Sequence, residues 1–160
     1  MLPLTSIVVP TDFSDQSDIA IAYAKEWALQ FSATIHLVHI IEPVVFPMDW
    51  GYSPIDLSSV EKQYEDAAHQ QLIQKVESLR QEGISIIPAI IHGGRASEEI
   101  NNYCIQHSIS MICMATHGRG GVEHLLLGST TERLIRKSTC PVMVVKVPES
   151  TKKNVQHLVL

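Results

Sequence analysis

The chain alternates between short apolar runs and longer segments whose apolar residues have helical spacing. The apolar runs are rich in valine and isoleucine and cover residues 6–10, 34–41, 84–91, 109–115 and 141–147. Such runs are typical of strands that are buried on both faces of a parallel sheet. The helical segments cover residues 15–32, 56–82, 96–107 and 129–138. This order predicts an α/β fold of three layers, α/β/α, with a five-stranded parallel sheet in the middle.

The same spacing predicts which helix faces are buried. In the first helix the apolar face contains Ala20, Ala24, Trp27, Ala28 and Phe31. In the second helix it contains Val60, Tyr64, Ala67, Leu72, Val76 and Leu79. The proline-rich segment 42–55 carries three aromatic residues, and we expect it to pack as a flap on the domain.

Composition and charge exclude several classes of protein. The 160 residues are 45% hydrophobic and carry a net charge of -5, which argues against a general nucleic-acid surface. The chain contains no run of about 18 apolar residues, so the sequence predicts no membrane span. The N-terminus lacks the basic region of a signal peptide. The three cysteines have no CxxC spacing, so they predict neither a disulfide framework nor a zinc site. We therefore expect a cytoplasmic globular domain.

The glycine-rich stretch "MATHGRGGVEHLLLGSTTERLIRK", residues 114–137, carries the main functional signal. Its glycines allow the backbone to approach a ligand closely, and the helix that follows begins with Ser-Thr-Thr. A helix N-terminus with free amides and hydroxyls is an anion site, which suits a polyphosphate. Alternatively, Ser129 and Glu132 have the spacing of a capping box, so that Ser129 caps the helix and binds nothing. The stretch contains neither a Walker A motif nor a dinucleotide fingerprint.

Polar residues also follow the other strands. Since ligands of open parallel sheets bind beyond the carboxyl ends of the strands, Asp12 is a candidate to accept a hydrogen bond from adenine or ribose, while Ser14 is expected to cap the first helix. His36 and His39 are three residues apart in a strand, so they face opposite sides and cannot chelate a metal together. The sequence contains neither a GxSxG elbow nor a cysteine with an evident base, so it predicts no catalytic nucleophile.

The segments "VVPTDFS", "HLVHIIEP" and "MATHGRGGVEHLLLGSTTERLIRKSTCPVMVV" resemble the universal stress protein family, in order and over essentially the whole chain. The nucleotide-binding members of that family carry glycine, two residues, glycine, nine residues, and then Gly-Ser or Gly-Thr. Gly118, nine residues and Gly128-Ser129 match the second part, whereas Ala115 replaces the first glycine. The resemblance implies a Rossmann-like fold of the adenine nucleotide alpha hydrolase type. It also implies one family domain over residues 1–148 and a C-terminal tail over residues 149–160.

The resemblance further implies that ATP binds, with Mg²⁺ held mainly by phosphate oxygens and water. Adenine and ribose would be bordered by Pro10, Thr11, Asp12 and Ile40. Ribose and phosphates would be wrapped by Met114, Ala115, His117, Gly118, Arg119 and Gly120, with the phosphates at Gly128, Ser129, Thr130 and Thr131.

The function implied is a cytoplasmic stress-response protein that responds to ATP and hydrolyses it slowly if at all. The last strand, about Pro141 to Val147, would pair antiparallel with its copy in a homodimer. Its downstream protein partner is not named by the sequence. Two alternatives remain open: a dimeric interaction protein that binds no nucleotide, and an adenylating enzyme. Against the enzyme, no SGGxDS-type loop follows the first strand.

Overall fold

The computed structural model describes residues 3–43, 57–116 and 127–146, except for the side chains of residues 57 and 58. Five strands alternate with four helices, and their bounds are β1 (Ser6–Pro10), α1 (Asp15–Phe31), β2 (Thr34–Ile41), α2 (Leu57–Gln81), β3 (Ile86–His92), α3 (Ala96–Gln106), β4 (Met111–Ala115), α4 (Ser129–Lys137) and β5 (Val142–Val145). Within these ranges no helix is long and apolar enough to cross a membrane. The predicted flap lies largely outside the described residues.

Strands β3 and β4 begin two residues later than predicted, and both differences have the same cause. The amide of Ile84 donates to the Leu79 carbonyl (3.1 Å), and the amide of Ile109 donates to the Cys104 carbonyl (3.0 Å). Each isoleucine is therefore buried against the end of the preceding helix rather than in the sheet. A hydrophobic contact of this kind commonly closes a helix C-terminus, and it extends the apolar run without extending the strand.

The sheet has the strand order β3-β2-β1-β4-β5, and every neighbouring pair is parallel. The chain builds outward from β1 to β3 and then returns past β1 to build outward again through β4 to β5. The strand order therefore reverses between β1 and β4, which is where open α/β sheets bind ligands. The predicted α/β fold and five-stranded parallel sheet are confirmed, and β5 lies at an edge of the sheet.

Two apolar clusters cover the two faces of the sheet. One joins α1 and α2 to the sheet and the other joins α3 and α4 to it. The predicted core residues that are buried are Ala20, Ala24, Ala28, Leu72, Val76 and Leu79.

The remaining predictions for these helix faces are wrong. On α1, Trp27 and Phe31 are 40% and 50% exposed and stack on each other with ring centroids 5.6 Å apart. The buried stripe of α1 consists mainly of small residues, which let the helix lie close to the sheet and leave large rings at its flank. On α2, Val60, Tyr64 and Ala67 are exposed, and Ala68 is buried in place of Ala67. Periodicity gives the phase of a buried stripe but not how far along the helix it extends.

The two edge strands differ in what they offer to a further strand. The amide of Ile35 donates to the Ser85 carbonyl (2.9 Å), and the amide of Gly93 donates to the Ile41 carbonyl (3.3 Å). Because backbone groups alternate along a parallel strand, odd-numbered residues of β3 bond to β2 and even-numbered ones point away from the sheet. Pro88 is even-numbered and lacks an N–H, so the outer edge of β3 has a donor missing near its middle.

The outer edge of β5 keeps its donors. The amides of Ile112 and Thr116 donate to the carbonyls of Pro141 (2.9 Å) and Val145 (3.1 Å). By the same alternation, the backbone groups of Val142 and Val144 point away from β4. A pairable row of donors and acceptors therefore lies along β5.

Candidate functional site

The sheet opens at the point where its strand order reverses. The ladder between β1 and β2 continues to the pair Pro10–Val38, whereas the recorded pairs between β1 and β4 end at Val8–Ile112. The last residues of β1 and β4 are therefore not paired with each other. A crevice of this kind, at the carboxyl ends of two neighbouring parallel strands, is the place where the fold class predicts a ligand.

The turn that follows β1 is held by Thr11, which is only 4% exposed. Its amide donates to the Val38 carbonyl (2.9 Å), and its hydroxyl oxygen accepts from the amide of Phe13 (3.0 Å). Phe13 has a φ of 62°, in the left-handed region that non-glycine residues rarely adopt. Such a conformation costs about 1–3 kcal/mol and persists only where surrounding contacts impose it. The turn at the crevice therefore has one imposed shape.

His39 is the second residue that imposes this shape, a role that was not predicted from the sequence. The ring is 4% exposed; its Nδ1 donates to the Thr11 carbonyl (2.7 Å), and it lies 4.4 Å from the Phe13 ring centroid to centroid. Because a carbonyl can only accept, Nδ1 carries the proton. The available signal was a polar residue inside the apolar run of β2.

The predicted opposition of the two strand histidines is confirmed. His36 lies on the other face of β2, where its Nδ1 is 3.0 Å from the Tyr103 hydroxyl oxygen. No three side chains capable of holding a metal ion come together anywhere in the part of the chain that the structure describes.

Asp12 and Ser14 organise the start of α1. Ser14 is the N-cap: its hydroxyl oxygen accepts from the amide of Ser17 (3.3 Å), so its predicted capping role is confirmed. The Ser14 hydroxyl and amide both donate to Oδ1 of Asp12, at 2.6 and 3.1 Å. This arrangement places a half-buried carboxylate directly after β1, beside the crevice. Its role toward a ligand stays a prediction.

The N-terminus of α4 is formed differently from the capping box considered above. Gly128 is the N-cap, with its carbonyl accepting from the amide of Glu132 (2.9 Å), and Ser129 is the first residue of the helix. The capping role of Ser129 is therefore wrong. Gly128 has φ -70° and ψ 155°, a conformation open to any residue. What its glycine provides is the lack of a side chain over the first amides of the helix.

Two hydrogen bonds fix this helix start against the end of β4. The hydroxyl of Thr131, which is 3% exposed, donates to the Ala115 carbonyl (3.1 Å). The amide of Gly128 donates to the Thr116 carbonyl (2.8 Å). Since the proton of the Thr131 hydroxyl is used within the protein, its backbone amide is the group that it can offer to a phosphate. Ser129 is exposed and Thr130 half-buried.

The N-termini of α1 and α3, at the same edge of the sheet, are occupied by the protein's own side chains. Helix α1 has the Ser14 cap and two acidic residues in its first turn. At the start of α3 the amide of Ala96 donates to the Glu42 carboxylate (2.7 Å), and Glu98 and Glu99 follow. Helix α4 has a glycine cap and Glu132 as the acidic residue of its first turn. Among these three helices, α4 therefore has the N-terminus best suited to an external anion.

The structure brings together most of the predicted site residues that it describes. Pro10 ends β1 and is followed by Thr11 and Asp12, while Gly128 caps α4 and Ser129, Thr130 and Thr131 begin it. Met114 and Ala115 end β4 and are 6% and 7% exposed, so a ligand would meet their backbone rather than their side chains. Ile40 is half-buried near the end of β2 and packs against the cluster that contains Met114. His117, Gly118, Arg119 and Gly120 lie outside the described residues.

Comparison with known proteins decides the family. The protein-family sequence model described as "Universal stress protein family" matches residues 4–146. The chain belongs to the universal stress protein family. Universal stress protein MJ0531 of Methanocaldococcus jannaschii is 33% identical over 147 residues, which cover 89% of this chain and 82% of that protein.

Solved structures of universal stress proteins share the fold. UspA from Lactobacillus plantarum has a TM-score of 0.73 at 23% identity, over 91% of this chain and 99% of its own. A universal stress protein from Archaeoglobus fulgidus, solved in complex with dAMP, has a TM-score of 0.63 at 20% identity, over 91% and 100% of the two chains. A nucleotide is thus bound by at least one member with this fold.

Proposed function

We propose that this universal stress protein binds ATP, with Mg²⁺, in the crevice between β1 and β4, and that it responds to the nucleotide in the cytoplasm rather than turning it over quickly. The observation that carries the proposal is the glycine-capped start of α4. Two hydrogen bonds hold it beside the end of β4, next to the place where the β1–β4 ladder ends. The dAMP complex of a relative with the same fold supports a nucleotide as the ligand.

In this proposal the phosphates lie at the N-terminus of α4. The amides of Ser129, Thr130 and Thr131 donate to phosphate oxygens, and the exposed hydroxyl of Ser129 adds a further donor. Mg²⁺ is held by phosphate oxygens and water, as is usual for this cation. The bare backbone of Gly128 lets a phosphate approach the helix axis.

The base and ribose lie toward β1 and β2. Asp12 is fixed by Ser14 with its carboxylate at the carboxyl edge of the sheet, where it can accept a hydrogen bond from a ribose hydroxyl or an adenine amino group. Pro10 and Ile40 are half-buried and give apolar surface for the base. Because the turn after β1 has one imposed shape, this half of the site is formed before the nucleotide arrives.

A serine at the cap position tests the phosphate half of the site. In Gly128→Ser the new hydroxyl accepts from a first-turn amide, which stabilises α4 but occupies the donor that the phosphate needs. We expect ATP affinity to fall at least about tenfold, equivalent to about 1.4 kcal/mol, while the melting temperature is unchanged or higher. Isothermal titration calorimetry with Mg-ATP measures the affinity, and thermal unfolding followed by circular dichroism measures the melting temperature.

The matched control is Gly94→Ser, which adds the same side chain at a glycine between β3 and α3. A Cβ at Gly94 meets nothing within 4 Å, so this variant should bind as the parent does. Parental affinity in Gly128→Ser would contradict the phosphate position. Two negative results together would favour the dimeric interaction protein instead. The purified parent would release no nucleotide on denaturation, as measured by absorbance at 260 nm, and calorimetry would detect no binding of Mg-ATP.

Slow turnover follows from the proposed orientation of the ligand. Efficient phosphoryl transfer requires a base or water-orienting group and metal-binding carboxylates near the γ-phosphate. In our proposal Asp12 stands at the base and ribose end, held there by Ser14. Phosphate release should therefore be far slower than ATP binding and dissociation. Rapid phosphate release would contradict this view, and pyrophosphate release would indicate the adenylating alternative.

The outer row of backbone groups on β5 supports a homodimer through this strand. Val144→Pro removes a donor that points away from β4, so it should leave the β4–β5 ladder intact and convert a dimer into a monomer. Val144→Thr keeps the donor and the β-branched shape, and it should stay dimeric. Sedimentation at micromolar concentration distinguishes these states. A parent that sediments as a monomer would exclude the dimer. A dimer that persists in Val144→Pro would place the interface outside β5.

A further inference from the structure

Two of the three cysteines are neighbours on the α3 and α4 side of the sheet. Cys104 lies on α3 and is 2% exposed, whereas Cys140 lies in the turn before β5 and is half-buried. Both pack in the same apolar cluster, and the neighbouring Cys140 adds to burial in raising the pKa of the Cys104 thiol. The sequence, in which they are separated by β4, the glycine-rich segment and α4, gives no sign of this contact.

The backbone around Cys140 is tied to α3 and to the end of α4. The amide of Thr139 donates to the side-chain oxygen of Asn101 on α3 (3.2 Å), one turn before Cys104. The hydroxyl of Ser138 donates to the Cys140 carbonyl and accepts from the Cys140 amide (3.1 Å). The turn that carries Cys140 is therefore held against α3, close to Cys104.

The third cysteine cannot take part. Cys113 is fully buried in the cluster on the opposite face of the sheet, where its thiol donates to the Ala20 carbonyl of α1 (3.5 Å). The sheet itself separates it from Cys104 and Cys140. The fold thus provides one thiol pair and one isolated thiol that serves as an internal reference.

We propose that Cys104 and Cys140 form a reversible intramolecular disulfide when the protein meets a peroxide. Cys140 reacts first because it is the more exposed thiol of the pair; burial raises the pKa of Cys104 to about 12, which keeps it protonated at neutral pH. The Cys140 sulfur attacks one peroxide oxygen, the O–O bond breaks, and water leaves, giving a sulfenic acid. The Cys104 sulfur then attacks the Cys140 sulfur, the S–O bond breaks, and the Cys104 thiol proton passes to the departing hydroxyl, which leaves as a second water. Two thiols and one hydrogen peroxide thus give one disulfide and two waters.

The bond would join α3 to the turn between α4 and β5. It closes a loop of chain that contains β4, the glycine-rich segment and α4. In a reducing compartment such a bond is transient, and thiols restore the pair. The site is therefore a candidate redox-sensitive cross-link, and its chemistry does not depend on whether nucleotide binds.

The experiment treats the reduced, folded protein with hydrogen peroxide and counts free thiols after denaturation. We expect the count to fall from the three cysteines of the chain to one, with a mass loss of two hydrogen atoms and full recovery with dithiothreitol. Trypsin without reduction should release the peptides 96–119 and 138–146 as one linked species. Fragmentation assigns the bond to Cys104 or Cys113, which share the first peptide.

Variants separate the proposed pair from random oxidation. Cys113→Ser should give the same linked species. Cys104→Ser or Cys104→Ala should instead leave Cys140 as a sulfenic or sulfinic acid without intramolecular linkage. A bond that involves Cys113, linkage only between molecules, or over-oxidation of Cys140 in the parent at the rate seen in Cys104→Ser would overturn the proposal. The parent alone decides the first two outcomes, so the conclusion does not depend on a variant that fails to fold.

Discussion

The hydroxyl of Thr131 gives the sharpest test of how the candidate site is held together. Since the amide of Thr116 bonds to β5, backbone alternation turns the Ala115 carbonyl toward the side where the β1–β4 ladder has ended. The Thr131 hydroxyl donates to this carbonyl at 3.1 Å. Thr131→Val keeps the shape of the side chain and, because valine and threonine have similar helix propensities, removes little besides this hydrogen bond.

The expected loss follows from burial of both partners. Removing one partner of a buried hydrogen bond costs about 1–3 kcal/mol, because the other is left without its donor. Taking about 2 kcal/mol, a domain of this length should lose about 4–8 °C in melting temperature. Thr131→Ser keeps the hydroxyl and loses one methyl group, worth about 0.8 kcal/mol. The stability order should be parent, then serine, then valine.

Urea denaturation followed by circular dichroism measures the three free energies of unfolding, and calorimetry with Mg-ATP measures binding to the same proteins. If Thr131→Val is as stable as the parent, or if Thr131→Ser is less stable than Thr131→Val, then the methyl group rather than the hydroxyl fixes α4 to β4. If Thr131→Val is destabilised as expected but binds ATP with the affinity of the parent, then the position of the N-terminus of α4 does not control ATP binding.

Three further predictions concern other parts of the domain. Burial, with a smaller contribution from His107, lowers the pKa of His36, so the unfolded chain binds a proton that the folded chain does not. Stability should fall below about pH 6.5, and the difference in urea midpoint between about pH 7.5 and about pH 5.5 should shrink in His36→Gln. Ala115→Gly should bind ATP at least as tightly as the parent, and a loss beyond about tenfold would show that the methyl group has its own packing role. Gly93→Ala should turn the flexible Glu99 side chain away, since its carboxyl carbon would lie 2.4 Å from the new Cβ, and should lower the melting temperature only through loss of the exposed hydrogen bond from the Gly94 amide to Glu99, whereas Gly94→Ala should leave it unchanged.

The sequence predicted the layers of the fold better than the details of its faces. Continuous Val- and Ile-rich runs predicted all five strands, and the bounds of β1 and β2 were predicted to the residue. Trp27 was misplaced because periodicity treats large and small apolar residues alike, although a helix that lies close to a sheet needs alanine at the contact.

The site shows the same division. The position of Asp12 after β1 and of Ser129 at the start of α4 follows from topology, because the carboxyl ends of parallel strands share one edge. The cap at Gly128 and the donation from His39 to Thr11 could not be predicted, since both depend on how separate segments meet in space. A motif gives the order of residues along the chain, but not which of their hydrogen-bonding groups the protein itself uses.

The proline in the middle of β3 limits how many copies of this protein can assemble. If two copies join through β5, the resulting sheet has β3 at both of its ends. Each end then presents an edge in which Pro88 interrupts the outward row of donors, and edge prolines are one of the ways in which proteins prevent a further strand from pairing. In such a dimer the sheet would be open to one partner and would disfavour a third, so growth would stop at two copies rather than continue into a filament.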